Sequence, residues 1–111
     1  MIRTDTPEFI AERKLYAVNS AGEKTPFSIR IGKPYAELDG ERWACPVWLA
    51  GLDDRYADIR GMDSLQAVTL ALAFAHSMMD GFATRGHTFQ YSTGQTVSVD
   101  DLFRSQFPAR P

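Results

Sequence analysis

The sequence predicts an α+β fold: an antiparallel β-meander of four to six strands with one long α-helix, about residues 63–85, packed across one face. Three observations carry this. Residues 63–85 are apolar over most of a helical circumference, more than the stripe of an ordinary surface helix. The segments before them alternate apolar and polar side chains, the period of a half-buried strand. Strands gathered ahead of a helix, rather than interleaved with helices, point to α+β rather than α/β.

The first strand is expected over Phe9–Asn19, with a turn at Ser20–Glu23. Thr25–Lys33 follows, with Phe27, Ile29 and Ile31 on one face and Ser28 and Arg30 on the other. Gly32, Pro34 and Gly40 punctuate a connecting loop. Glu41–Leu52 is the third strand; Trp43, Cys45, Val47 and Leu49 share one face, and Arg42, Ala44, Pro46, Trp48 and Ala50 the other. Pro46 has no N–H to give a ladder, so this strand is expected at an edge or with a bulge. Arg55–Gly61 is a shorter fourth strand with Tyr56 and Ile59 as its apolar members.

The helix comes next. Asp63 is placed to cap its first turn, with Gln66 reaching back in a capping box. Gly86 suits the left-handed residue after its end, with Arg85 near the negative pole. Leu65, Val68, Ala71, Leu72, Ala75, Met79 and Phe82 make the expected sheet-facing side. Leu70, Phe74 and Met78 widen it beyond what one sheet needs. They are read either as covered by the termini or as a dimer face. His76 sits on the narrow polar margin as a boundary residue. His87–Tyr91, a turn at Thr93-Gly94 and Gln95–Val99 form a closing hairpin. Asp100–Phe107 makes a last helical turn, with fraying expected at 1–7 and 108–111.

At 111 residues the chain is expected to be one domain around one core. A net charge of −2 argues against nucleic-acid or anionic-membrane binding, and the apolar run falls short of the roughly 20 residues of a bilayer span. Residues 37–63 hold seven acidic and three basic groups, an acidic stretch of net −4. The start of the chain lacks the apolar region of a signal peptide, so a cytoplasmic address is the default expectation.

Chemistry is sparse. There is no phosphate-binding glycine loop and no Gly-x-Ser-x-Gly nucleophile elbow. The single cysteine, Cys45, lies on the apolar side of its strand. Neither His76 and His87 nor Asp53, Asp54 and Asp58 has the spacing of a metal site. No catalytic residue, cofactor or metal is therefore expected. Trp48, if uncovered beside Arg30 and Arg42, offers a flat apolar anchor flanked by guanidinium groups, a combination enriched at the centres of protein interfaces. Tyr35 extends that patch and Asp53 and Asp54 supply acidic neighbours, giving six candidate partner-binding residues.

Three segments read together resemble a known family. Ile29-Arg-Ile-Gly-Lys-Pro-Tyr35, Trp43-Ala-Cys-Pro-Val-Trp-Leu-Ala-Gly-Leu52 and Gly61-Met-Asp-Ser-Leu-Gln-Ala-Val-Thr-Leu-Ala-Leu72 are similar to a domain of unknown function found in small bacterial proteins. The resemblance spans residues 25–90, and the tail from Gln95 departs from the pattern. It implies membership but no activity and no functional residue. The resulting expectation is a non-catalytic protein-binding module, such as an immunity-type protein that neutralises a toxin. A structural or regulatory homodimer is the alternative, or a small-molecule binder with a pocket between helix and sheet lined by Trp43, Trp48 or Tyr35.

Overall fold

A computed structural model describes residues 7–37 and 40–104. The strands are β1 (Phe9–Val18), β2 (Lys24–Gly32), β3 (Tyr35–Ala36), β4 (Trp43–Ala50), β5 (Ala57–Gly61), β6 (Thr88–Gln90) and β7 (Thr96–Val97). The helices are α1 (Ser64–Thr84) and the single turn α2 (Val99–Leu102). All seven strands join one antiparallel sheet, and α1 lies across one of its faces, giving the expected α+β architecture. The fraying expected at 1–6 and 108–111, and the helical turn beyond Arg104, fall outside the described residues.

β1, β2, β4 and β5 pair in chain order as a meander. The closing hairpin then returns to the far side, β6 pairing with β1 and β7 with β6. The seventh strand, β3, lies in the stretch expected to be a loop; Tyr35 and Ala36 pair with Ala44 and Trp43. β5 pairs with residues 43–47 of β4, overlapping the partners of both β3 and β2. β2 and β3 must therefore share the opposite edge of β4.

This sharing explains Pro46. β4 is an interior strand, so of the edge or bulge expected from its proline the edge does not hold. Its ladder to β2 runs through Ile31↔Val47 and resumes with β3 at Tyr35↔Ala44, so Cys45 and Pro46 face the gap between them. The proline ring sits over Gly32, where a Cβ would lie 2.7 Å from it. A break in the ladder, rather than an edge, accommodates the missing donor.

Alternation sends Leu15, Ala17, Phe27, Ile29, Ile31, Cys45, Val47 and Leu49 toward the helical side, where they meet Ala67, Ala71, Ala75, Met79, Phe89, Val97 and Val99. Burying the larger of these contributes about 1.5–3 kcal/mol each. The molecule is 21 Å along its shortest axis, room for two layers at about 10 Å spacing. Among the described residues, no second helix covers the sheet face opposite α1.

Capping of α1 follows the expected residues. Asp63 accepts from the Gln66 N–H at 2.7 Å. The Gln66 side chain, however, accepts from Met62 N–H, also at 2.7 Å, rather than from the cap residue itself. At the other end Gly86 has φ +98, Gly86 N–H donates to Ala83 O at 3.0 Å and His87 N–H to Phe82 O at 3.1 Å. This pair of bonds is a Schellman closure.

The buried face of α1 differs in part from the expected one. Leu65 is 75% exposed and Leu72 41%, although both were expected against the sheet. Ala71, Ala75 and Met79 are buried as expected, joined by Ala67, and Val68 and Phe82 pack against the core. Gly61 sets this: a Cβ there would stand 2.5 Å from the Ala67 nitrogen, so the helix enters with its backbone on the end of β5. Close approach of small side chains displaced the bulkier leucines to the flanks.

Candidate interaction surfaces

On the open sheet face the registers Glu12↔Arg30 and Arg30↔Trp48 place three side chains in one row across β1, β2 and β4. Arg30 Nε donates to Glu12 Oε2 at 2.9 Å, and its guanidinium lies 5.5 Å from the Trp48 ring centroid. Phe9 closes the other side of the indole, with ring centroids 6.1 Å apart. Trp48 Nε1 donates to the carbonyl of Asp53 at 3.1 Å. Trp48 is half-buried, and both its donor and the Arg30 charge are already engaged.

The six expected partner-binding residues do not form one patch. Arg30, Trp48 and the Asp53 backbone meet as described, with exposed Asp54 alongside in sequence. Tyr35 pairs with Ala44, and exposed Arg42 precedes β4 at its opposite end. Six residue steps separate Arg42 from Trp48, about 20 Å along an extended strand. One concavity borders the Arg30 cluster, lined by Phe9, Ile10, Ala11, Glu12 and Arg30, and another lies between the end of α1 and the β6–β7–α2 segment. Neither is lined by Trp43, Trp48 or Tyr35.

The outward side of α1 is the more apolar surface. Met62 is 77% exposed, Leu65 75%, Leu70 and Leu72 41% each, and Phe74 36%. At about 100° per residue, Leu65 and Leu72 fall on the same side of the buried stripe as His76. Leu70 and Phe74 fall on the other. Met78, expected with them, is half-buried and packs against the core.

His76 marks the side facing α2. Its Nε2 lies 3.0 Å from Asp100 Oδ1 and its Nδ1 3.3 Å from Asp80 Oδ2. Phe103 meets the ring edge-on at 5.2 Å. The sequence reading placed His76 at a boundary, and half-burial agrees, but it missed this cluster. The His76/Asp80 spacing of four residues was a visible signal; Asp100 was not, because only the fold brings it across. One ligand atom from each of the three lies within 4.8 Å of the others, a set that could hold a cation. The two carboxylates nevertheless stand at different ring nitrogens, so the arrangement ties α2 to α1 through hydrogen bonds.

Two further groups bear on chemistry. Cys45 is fully enclosed, and burial first, the Asp58 charge second, pushes its thiol above the ordinary range. That disfavours the thiolate a nucleophile needs. Asp58 Oδ1 is enclosed without a hydrogen-bond partner.

A family model described as a domain of unknown function, DUF6968, matches residues 11–97. The chain belongs to this family. The match takes in β1 to β7, and so includes the open sheet face, α1 and the closing hairpin. No curated protein and no solved structure matches the chain. Membership in DUF6968 carries no assigned activity, so function must be argued from the surfaces themselves.

Proposed function

We propose that this chain is a non-catalytic protein-binding module that engages its partner through the outward side of α1. The observation that carries this reading is the set of exposed large apolar side chains on one flank of α1 and at its entry, Met62, Leu65 and Leu72. Apolar patches of this kind on small proteins mark interaction surfaces. The 37–63 stretch that precedes this helix is acidic, net −4, a charge suited to a basic partner. Within the class, an immunity-type neutraliser of a basic toxin fits that charge.

The test is calorimetric titration of the chain with the products of its neighbouring genes. A saturable complex with one of them is expected, weakened at least tenfold by Leu72→Glu, because an apolar interface anchor is typically worth more than 1 kcal/mol. Absence of any complex, or a complex indifferent to Leu65→Glu and Leu72→Glu, rejects the reading.

A further inference from the structure

We propose that a second copy of this chain docks edge to edge on β5, making one continuous sheet through a two-fold axis at Ile59. This rests on the reading of the chain as a protein-binding module, but uses the opposite flank of α1. Among the described residues β5 pairs only with β4, so the outer edge of 57–61 presents unpaired main-chain donors and acceptors. Such an edge is a ready template for another strand.

Charge selects the register. Antiparallel self-pairing about Ile59 sets Asp58 opposite Arg60 of the second copy, twice by symmetry. Both side chains stand on the open sheet face, since they oppose Pro46 and Ala44 of β4. Shifting the axis to Asp58 or Arg60 would put like charges opposite each other, which is destabilising. Asp58 is half-buried at this edge; Arg60 reaches Glu37 at 2.9 Å while remaining exposed.

The helices fit the same axis. α1 rests on β4 and β5, so with strands about 4.8 Å apart its axis stands roughly 5 Å inside the dyad. Two copies of α1 would then run about 10 Å apart on the same face, the spacing of packed helices. Leu70 and Phe74, on the flank away from His76 and α2, would face their symmetry mates.

Sedimentation of the intact chain tests this. A dimer is expected, and it persists in Glu37→Gln, which removes Arg60's partner within the chain. In that background Arg60→Asp and Asp58→Arg should each raise the dimer dissociation constant about tenfold, and the two together should restore it. Phe74→Glu should weaken the dimer and Leu72→Glu leave it unchanged. If a charge variant fails to fold, Phe74→Glu decides alone. A monomeric parent chain, a dimer indifferent to Phe74→Glu or to both single charge reversals, or a double exchange without rescue overturns the proposal. A dimer broken by Leu72→Glu instead overturns the β5 axis while leaving the binding role of α1 standing.

Discussion

Cys45 shows how a single side chain reports on the whole core. Its sulfur lies 3.3 Å from the carbonyl oxygen of Gly32, inside the ladder break that Pro46 requires. Burial and the Asp58 charge make the folded chain hold the thiol proton to higher pH than the unfolded chain does. As pH rises through the ordinary thiol value, about 8.5, the unfolded state therefore loses the proton first and gains stability relative to the folded one. Below that pH both states are protonated and the group is neutral in the balance. Urea titrations at neutral and alkaline pH should show stability falling with rising pH. The fall should be smaller in Cys45→Ala, whose lower starting stability reflects lost packing. Equal falls in both chains would contradict this account. The cysteine's burial was legible from strand alternation; its polar neighbours were not, because Gly32 and Asp58 approach it from two other strands.

At the scale of the element, α1 separates what local pattern encodes from what packing decides. Its limits were legible because caps are local: Asp63 holds one end and Gly86 the other. The face it buries was legible in part: Val68, Ala71, Ala75, Met79 and Phe82 meet the core as expected, but Gly61 on β5 presses the backbone at Ala67 and small residues take the closest approach. Leu65 and Leu72, expected inward as part of one broad apolar face at helical spacing, stand outward. Two substitutions exploit this asymmetry. Gly61→Ala puts a methyl against main chain that cannot yield, and should cost about 1–3 kcal/mol. Gly81→Ala, within α1 and with nothing within 4 Å of the added Cβ, should stabilise by about 0.5–1 kcal/mol through helix propensity. Thermal melts of the two variants should move in opposite directions. The candidate partner residues illustrate the same division: alternation placed Arg30 and Trp48 on one face and strand rise already separated Arg42 from Trp48, but nothing local said that Tyr35 pairs at that far end of β4.

For the whole molecule, the α+β class and the meander of β1, β2, β4 and β5 were legible, since sequential strands with alternating patterns tend to pair with their neighbours. The placement of the closing hairpin was not. β6 could have extended the sheet beside β5, yet it pairs with β1, setting Tyr16↔Gln90, Ala17↔Phe89 and Val18↔Thr88. β1 is thereby an interior strand, and its inward residues Leu15 and Ala17 share a core with Phe89, Val97 and Val99 from the last described elements. Among the described elements, β1 therefore gains its second neighbour only when the closing hairpin docks. Contacts of such long sequence separation slow folding and bind the two ends of the chain into one cooperative act. A chain stopped at Arg85 retains β1 to β5 and all of α1 but should show no cooperative melt. A sharp transition in that fragment would mean that the hairpin decorates the fold rather than completing it.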